Sequence, residues 1–247
     1  MDYTVITAME NPEQKRMHDE ITHQIWPEFI LHDPISNQNW RNLYTTFAEY
    51  QISILIDGEV AGFANSIPFC WCESLENLPE EGWDWALLKG FEDKSNNKKP
   101  NILCGLQIAI NRNYQEHRLS YSIVAEMKSI AYNNGFKYFV VPVRPNLKSK
   151  YPLIPIEDYI KWENSDGYPF DPWLRVHVKL GARVTKICHE AMYIPGKIGD
   201  WEKWTGMKMP GSGNYVVDGA LVPVRVDIIK DIAEYSEPNI WVSYYLR

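Results

Sequence analysis

The stretch from Ile102 to Val143 constrains the fold more than any other part of the chain. Ile102–Ile110 is a β-branched, apolar run with the length and composition of a buried strand. From Ser120 to Asn134, Ile123, Val124, Met127, Ile130 and Ala131 recur at a spacing of three or four, which predicts a helix with one apolar face. Gly135 follows as a left-handed C-terminal cap. Phe136–Val143 is apolar on both faces and reads as a central strand. Strand, helix and strand in that order make a βαβ crossover, the connection that joins parallel strands.

The flanking segments supply further elements. Tyr3–Thr7 reads as an opening strand, and Asn11-Pro12 with Gln14 carries the signals of a helix start. Met17, Ile21, Ile25 and Phe29 give that helix one apolar face, and Pro27 ends or kinks it. A second helix is expected over about Asn39–Tyr50. Ile52–Ile56 and Val60–Ile67 flank Asp57-Gly58-Glu59, a hairpin signal. A short helix is expected around Asp84–Lys89. Beyond the crossover come a short helix near Ile156–Trp162, a helix from Asp171-Pro172 to Gly181, and a long strand over Arg183–Ile194. A short helix at Gly199–Met207 and two strands within Tyr215–Ile229, joined at Asp218-Gly219, complete the reading. There is no repeat, low-complexity tract or linker. One domain over 1–247 is expected, α/β (α+β) in class, with long insertions.

Charge narrows the partners. The formal net charge is −7, and the only dense basic cluster is Lys94–Lys99 in a polar loop. Binding to a phosphate backbone needs a basic stripe, so nucleic acid is excluded as a partner. The acidic excess suits a cationic acceptor such as an amine. No stretch approaches the about 20 apolar residues of a membrane span, and the N-terminus lacks the pattern of a signal peptide, so a cytoplasmic protein with no membrane partner is expected. Cys70, Cys72, Cys104 and Cys188 have no partners at zinc-site spacing, so free thiols and no metal are expected.

The chain has ten Trp and fifteen Tyr, which suit cores, clefts and interfaces alike. Trp71, Trp83, Trp85, Tyr151, Tyr159, Trp162 and Trp173 fall in insertions, where they either line an acceptor cleft or pack on one another. Trp201, Trp204 and Trp241 leave two uses open, a core or a homodimer interface.

Three local motifs add a resemblance. Between the first strand of the crossover and its helix lies Gln115-Glu116-His117-Arg118-Leu119-Ser120. Asn146 follows the second strand, and His177-Val178-Lys179-Leu180-Gly181 ends a later helix. In this order they resemble the GNAT superfamily of acyl-CoA-dependent N-acetyltransferases, whose loop reads Gln/Arg-x-x-Gly-x-Gly/Ala. Gln115 and the small Ser120 match it, while Arg118 replaces the first glycine. Pro142–Asn146 and Asp171–His177 are similar to an unassigned bacterial GNAT-like group. The resemblance covers residues 3–194 as a core and leaves 195–247 as a C-terminal extension.

The resemblance implies a centrally splayed mixed sheet flanked by helices. It implies an N-acyltransferase that moves an acyl group, acetyl above all, from acetyl-CoA to a small-molecule amine by direct attack. Acetyl-CoA would lie along Leu106, Gln107, Ile108 and Ile110, on the loop and helix start from Gln115, Glu116, His117, Arg118 and Leu119 to Ser120, and beside Asn146. The physics agrees, because a helix N-terminus presents unpaired N–H groups and partial positive charge to phosphates. Gly105 within a strand marks either a bulge or room for a large neighbour. His177 stands at the position of the family's acid. No carboxylate occurs in Ile102–Ile110, so Asp84, Glu157, Asp158 and Asp171 are the candidates for a base. Arg118 and the missing carboxylate favour the rival reading, a non-catalytic CoA-binding or sensor protein on the same scaffold.

Overall fold

The structure is a computed structural model, and it describes residues 2–117 and 119–246. β1 (Thr4–Thr7), β2 (Gln51–Ile56), β3 (Glu59–Phe69) and β4 (Ile102–Ile110) form an antiparallel meander. The β2–β3 hairpin turns at Asp57-Gly58, both at positive φ, as a two-residue hairpin turn requires. β5 (Tyr138–Val143) lies parallel to β4, and α4 (Leu119–Asn133) is the crossover between them. The expected βαβ unit is thus present.

Two irregularities open this sheet at one level. Pairing of β4 with β5 stops after Cys104↔Val140, although both strands continue. In the same stretch Ser66 of β3 opposes Gly105 while Asn65 opposes Gln107, so Leu106 is the extra residue of a β-bulge. Gly105 sits beside the bulge, one residue before it. A Cβ at Gly105 would lie 3.1 Å from both Met127 Cε and Val141 Cγ2, so the glycine also makes room for its neighbours.

The expected extension is built into the sheet. β6 (Arg183–Gly196), α7 (Ile198–Thr205), β7 (Gly213–Tyr215) and β8 (Val224–Asp227) lead to β9 (Ile232–Tyr245). One edge of β9 pairs with β8 through 232–234 and with β5 through 240–245; the other edge pairs with β6. Between those two sets of pairs, 235–239 has no strand partner on the first edge among the described residues. Trp201 and Trp241 are fully enclosed, and Trp241 Nε1 donates to Pro79 O, so both serve the core.

The helices cover both faces. Gly62 faces Ile123 of α4, so the neighbouring Phe63 points to the opposite face. There, Ile21 of α1 (Gln14–Ile25) packs on Val60, Phe63 and Ala109 as a small separate core. α2 (Pro34–Thr46) begins earlier than expected. Asp33 accepts a hydrogen bond from Ser36 N at 2.6 Å and Pro34 takes the first helical position, a strong start. α3 spans Gly82–Ser95, longer than the expected Asp84–Lys89, and a one-turn α5 (Ile156–Tyr159) and α6 (Pro172–Lys179) follow. Among the described residues no helix is long and apolar enough to cross a membrane.

Candidate active site

A cavity of about 850 Å³ opens where β4 and β5 part. Its first wall is Gly105–Ile110 of β4, Gln115, Ser120 at the start of α4, the end of β5 with Arg144 and Asn146, and Trp173 and Val176 of α6. Its second wall is the α1–α2 segment, including Trp26, Ser36 and Trp40, with Trp83, Glu237 and Asn239. Trp83 joins the two walls, because its Nε1 donates to Leu106 O at 2.7 Å, at the bulge.

Of the residues expected to hold acetyl-CoA, the cavity gathers Leu106, Gln107, Ile108, Ile110, Gln115, Ser120 and Asn146. Leu119 is buried in the core instead. Arg118 and the side chains of Glu116 and His117 lie outside the described residues. The gathered set fits an acyl-CoA in two respects. Past Cys104 and Val140 the facing edges of β4 and β5 carry backbone N–H and C=O groups that the other strand does not use, and an extended amide arm satisfies such groups. The N-terminus of the fifteen-residue α4 brings partial positive charge to the same cavity at Ser120.

His177 does not reach the cavity. It is fully enclosed between α6 and β9, with Nδ1 2.8 Å from the Tyr244 hydroxyl and Nε2 without a partner among the described residues. Burial pushes its pKa down to about 3, so the ring is neutral at physiological pH. The expected acid therefore stands behind the wall that Trp173 and Val176 of its own helix provide.

The four candidate bases separate cleanly. Asp171 caps α6 by accepting from Trp173 N and Leu174 N, and it also accepts from Leu147 N and the Tyr159 hydroxyl. Glu157 is exposed and bonded to His189, and Asp158 is exposed and paired with Lys161. Asp84, in the first turn of α3, is the buried one. Its Oδ2 accepts from Tyr193 N at 3.0 Å. Burial raises its pKa, and the charges of Asp33 and Glu237 raise it further; burial likewise raises that of Asp33.

Glu237 lines the cavity beside this pair. Both of its oxygens accept from Arg144 Nε at 2.9 Å, and Oε2 accepts from the Tyr235 hydroxyl. Asp33, Glu237 and Asn239 were not singled out by sequence. Asp33-Pro34 gives only a helix-start signal, and Ser236–Asn239 carries a proline that hides its strand.

Of the insertion aromatics, Trp83 and Trp173 line the cavity. Tyr151, Tyr159, Trp162 and Phe170 pack on one another, as do Phe69, Trp71 and Trp85. Trp26 and Trp40, unnoticed in the sequence, also line the cavity.

No family model matches the chain. It is 30% identical over 273 aligned positions to the arginine N-acetyltransferase avaD of Aspergillus versicolor, covering 98% of this chain and 93% of that protein. The chain belongs to the GNAT acetyltransferase superfamily. The GNAT fold is found again in two solved structures. The loading GNATL domain of CurA from Lyngbya majuscula superposes with a TM-score of 0.67 at 15% identity, over 100% of this chain and 98% of that one. The GphF GNAT-like decarboxylase, solved with isobutyryl-CoA, gives 0.59 at 15% identity, over 99% and 100%. The mixed sheet with flanking helices is that of these GNAT neighbours. Among the described residues no group of three or more His, Cys, Asp or Glu side chains is arranged to hold a metal ion.

Proposed function

We propose that this GNAT protein, acting as one domain in the cytoplasm, transfers an acetyl group from acetyl-CoA to a nitrogen of a small cationic acceptor, with arginine the first candidate. Acyl-CoA supplies the activated thioester carbonyl. In the net reaction an N–C bond forms, the C–S bond breaks, the nitrogen gives up one proton and the departing sulfur takes up one.

The observation that carries this reading is the coincidence of the Leu106 bulge with the end of β4–β5 pairing, both opening onto one cavity. In the proposal, the released edges of β4 and β5 hold the amide arm, and Gln115, Ser120 and the first turn of α4 hold the phosphates, with Asn146 near the thioester. His177 holds α6 against β9 through Tyr244 and gives no proton to the departing sulfur. Arginine enters the proposal from the relative's printed activity and is supported by the Glu237 carboxylate in the second wall.

The test is a pair of measurements on the full chain. Acetyl-CoA is expected to raise the melting temperature, because a ligand that binds only the folded state stabilises it by mass action. Arginine is then expected to release free CoA thiol. Stabilisation without thiol release across a panel of amines supports the sensor reading instead. No stabilisation at millimolar acetyl-CoA defeats both.

A further inference from the structure

The second wall of the cavity holds polar groups that the fold itself leaves unmatched. Asn239 lines the cavity and is 1% exposed, and its Oδ1 has no hydrogen-bond partner among the described residues. Buried amide oxygens without a donor are rare in folded proteins, and such an atom beside a cavity points to a ligand that supplies an N–H. Asn239 lies in the part of β9, 235–239, where the edge away from β6 has no strand partner among the described residues.

Acidic groups gather at the same wall. Glu237 lines the cavity, and Asp33 and Asp84, buried and outside the cavity lining, act on it and on each other electrostatically. The half-buried Arg144 pairs with Glu237 and donates to Gly219 O, and Lys15 and Arg41 line the same cavity. Asp33 and Asp84 hydrogen-bond to each other through a proton carried by Asp84, and Asp33 Oδ2 and Asp84 Oδ1 have no other partner among the described residues. Burial raises the proton affinity of both carboxyls, with the charge of Asp33 adding to it at Asp84, so the pair shares one proton and keeps one negative charge behind the wall. A cation bound in front of Glu237 and this pair is favoured by both.

Shape agrees with charge. Trp40 and Trp83 stack at 5.7 Å between centroids and both line the cavity, a flat apolar surface for an aliphatic stem. Trp83 also bonds Leu106 O at the bulge. Trp83 thus ties the Trp40 surface of the second wall to the β4–β5 opening.

We propose that Glu237 and Asn239, backed by the Asp33–Asp84 pair, form the binding site for the cationic head of the acceptor, and that this head is an alkylguanidinium. A guanidinium offers positive charge to the carboxyls and a planar set of N–H donors to Asn239 Oδ1. The assignment rests on the acyl-transfer reading and adds to it the part of the site that selects the acceptor.

The experiment is isothermal titration of arginine, agmatine and citrulline into the full chain in the presence of CoA. Citrulline keeps the shape of arginine but carries a neutral urea. Arginine and agmatine are expected to bind, and citrulline about tenfold weaker or worse. Asn239→Leu and Asp33→Asn are each expected to weaken arginine by about tenfold while CoA affinity stays within about twofold. Asparagine keeps the cap for Ser36 N, and the arginine–citrulline comparison needs no variant at all.

Equal affinity for arginine and citrulline, absence of arginine binding, or wild-type affinity in both variants overturns the assignment. If arginine drives thiol release while citrulline binds equally well, the acyl-transfer reading stands and the cation site falls. If CoA fails to bind the wild type, the acyl-transfer reading falls, and arginine titrated without CoA still decides the site.

Discussion

His177 shows how little separates a wall residue from a buried one. Trp173 and Val176 of α6 line the cavity, whereas His177, one residue further round the helix, points into the contact with Tyr244. A step of one residue turns a helix by about 100°, so a motif that aligns His177 with a catalytic position carries no information about which way the ring points. The expected outcome for His177→Phe is turnover close to wild type, measured by thiol release. Stability should fall by about 1–3 kcal/mol in urea unfolding, because the Tyr244 hydroxyl loses its 2.8 Å ring partner and keeps only the longer bond to His177 O. A loss of turnover without a loss of stability would return His177 to the mechanism. The base candidates teach the same lesson. Residue type alone put Asp84, Glu157, Asp158 and Asp171 on equal terms, and only burial and hydrogen bonding distinguish them.

At the scale of elements, what could be read in the sequence was what is local. The βαβ unit announced itself because the apolar periods of β4, α4 and β5 are set by each element's own neighbours. β9 escaped because Pro238 interrupts it and because Glu237 and Asn239 break its apolar pattern. Those three residues fall where the edge of β9 away from β6 has no strand partner among the described residues, so two of the residues that hid the strand, Glu237 and Asn239, line the cavity. Packing between elements was equally hidden. Gly90 lies inside α3, where Ala ordinarily stabilises a helix by about 1 kcal/mol. Here a Cβ would overlap Ile67 Cγ1 and Cδ1 of β3 and approach Pro68 O to 3.1 Å. Gly90→Ala is therefore expected to destabilise by about 1–3 kcal/mol, read as a lower urea midpoint at unchanged slope. A raised midpoint would mean that α3 does not press on the sheet as described.

At the scale of the whole molecule, buried titratable groups set opposing limits on stability. His18 is fully buried among Tyr44, Ser53 and Phe63, and burial pushes its pKa down to about 3, as it does for His177. Both take up protons more readily when unfolded. Their contribution is complete above the ordinary value of 6.5 and is lost as pH falls from there toward about 3. Asp33 and Asp84 have the opposite sign. Their pKa values are raised from 3.8, so their contribution is complete below that value and is lost as pH rises through their folded pKa values. The groups facing Asp84 are Asp33 and Glu237, with Arg144 held by Glu237 and Tyr193 N as its hydrogen-bond donor. The two windows overlap between about pH 4 and 6.5, where the histidines raise stability with pH and the carboxyl pair lowers it; from about pH 6.5 to 8 Asp84 alone of the four still acts. Asp84→Asn, which keeps the shape but cannot ionise, is expected to flatten the fall of melting temperature between about pH 6.5 and 8 and to steepen the rise between about pH 4 and 6.5. Calorimetric scans of both proteins from about pH 4 to 8 check it, and parallel profiles would show that Asp84 does not carry the strain assigned to it.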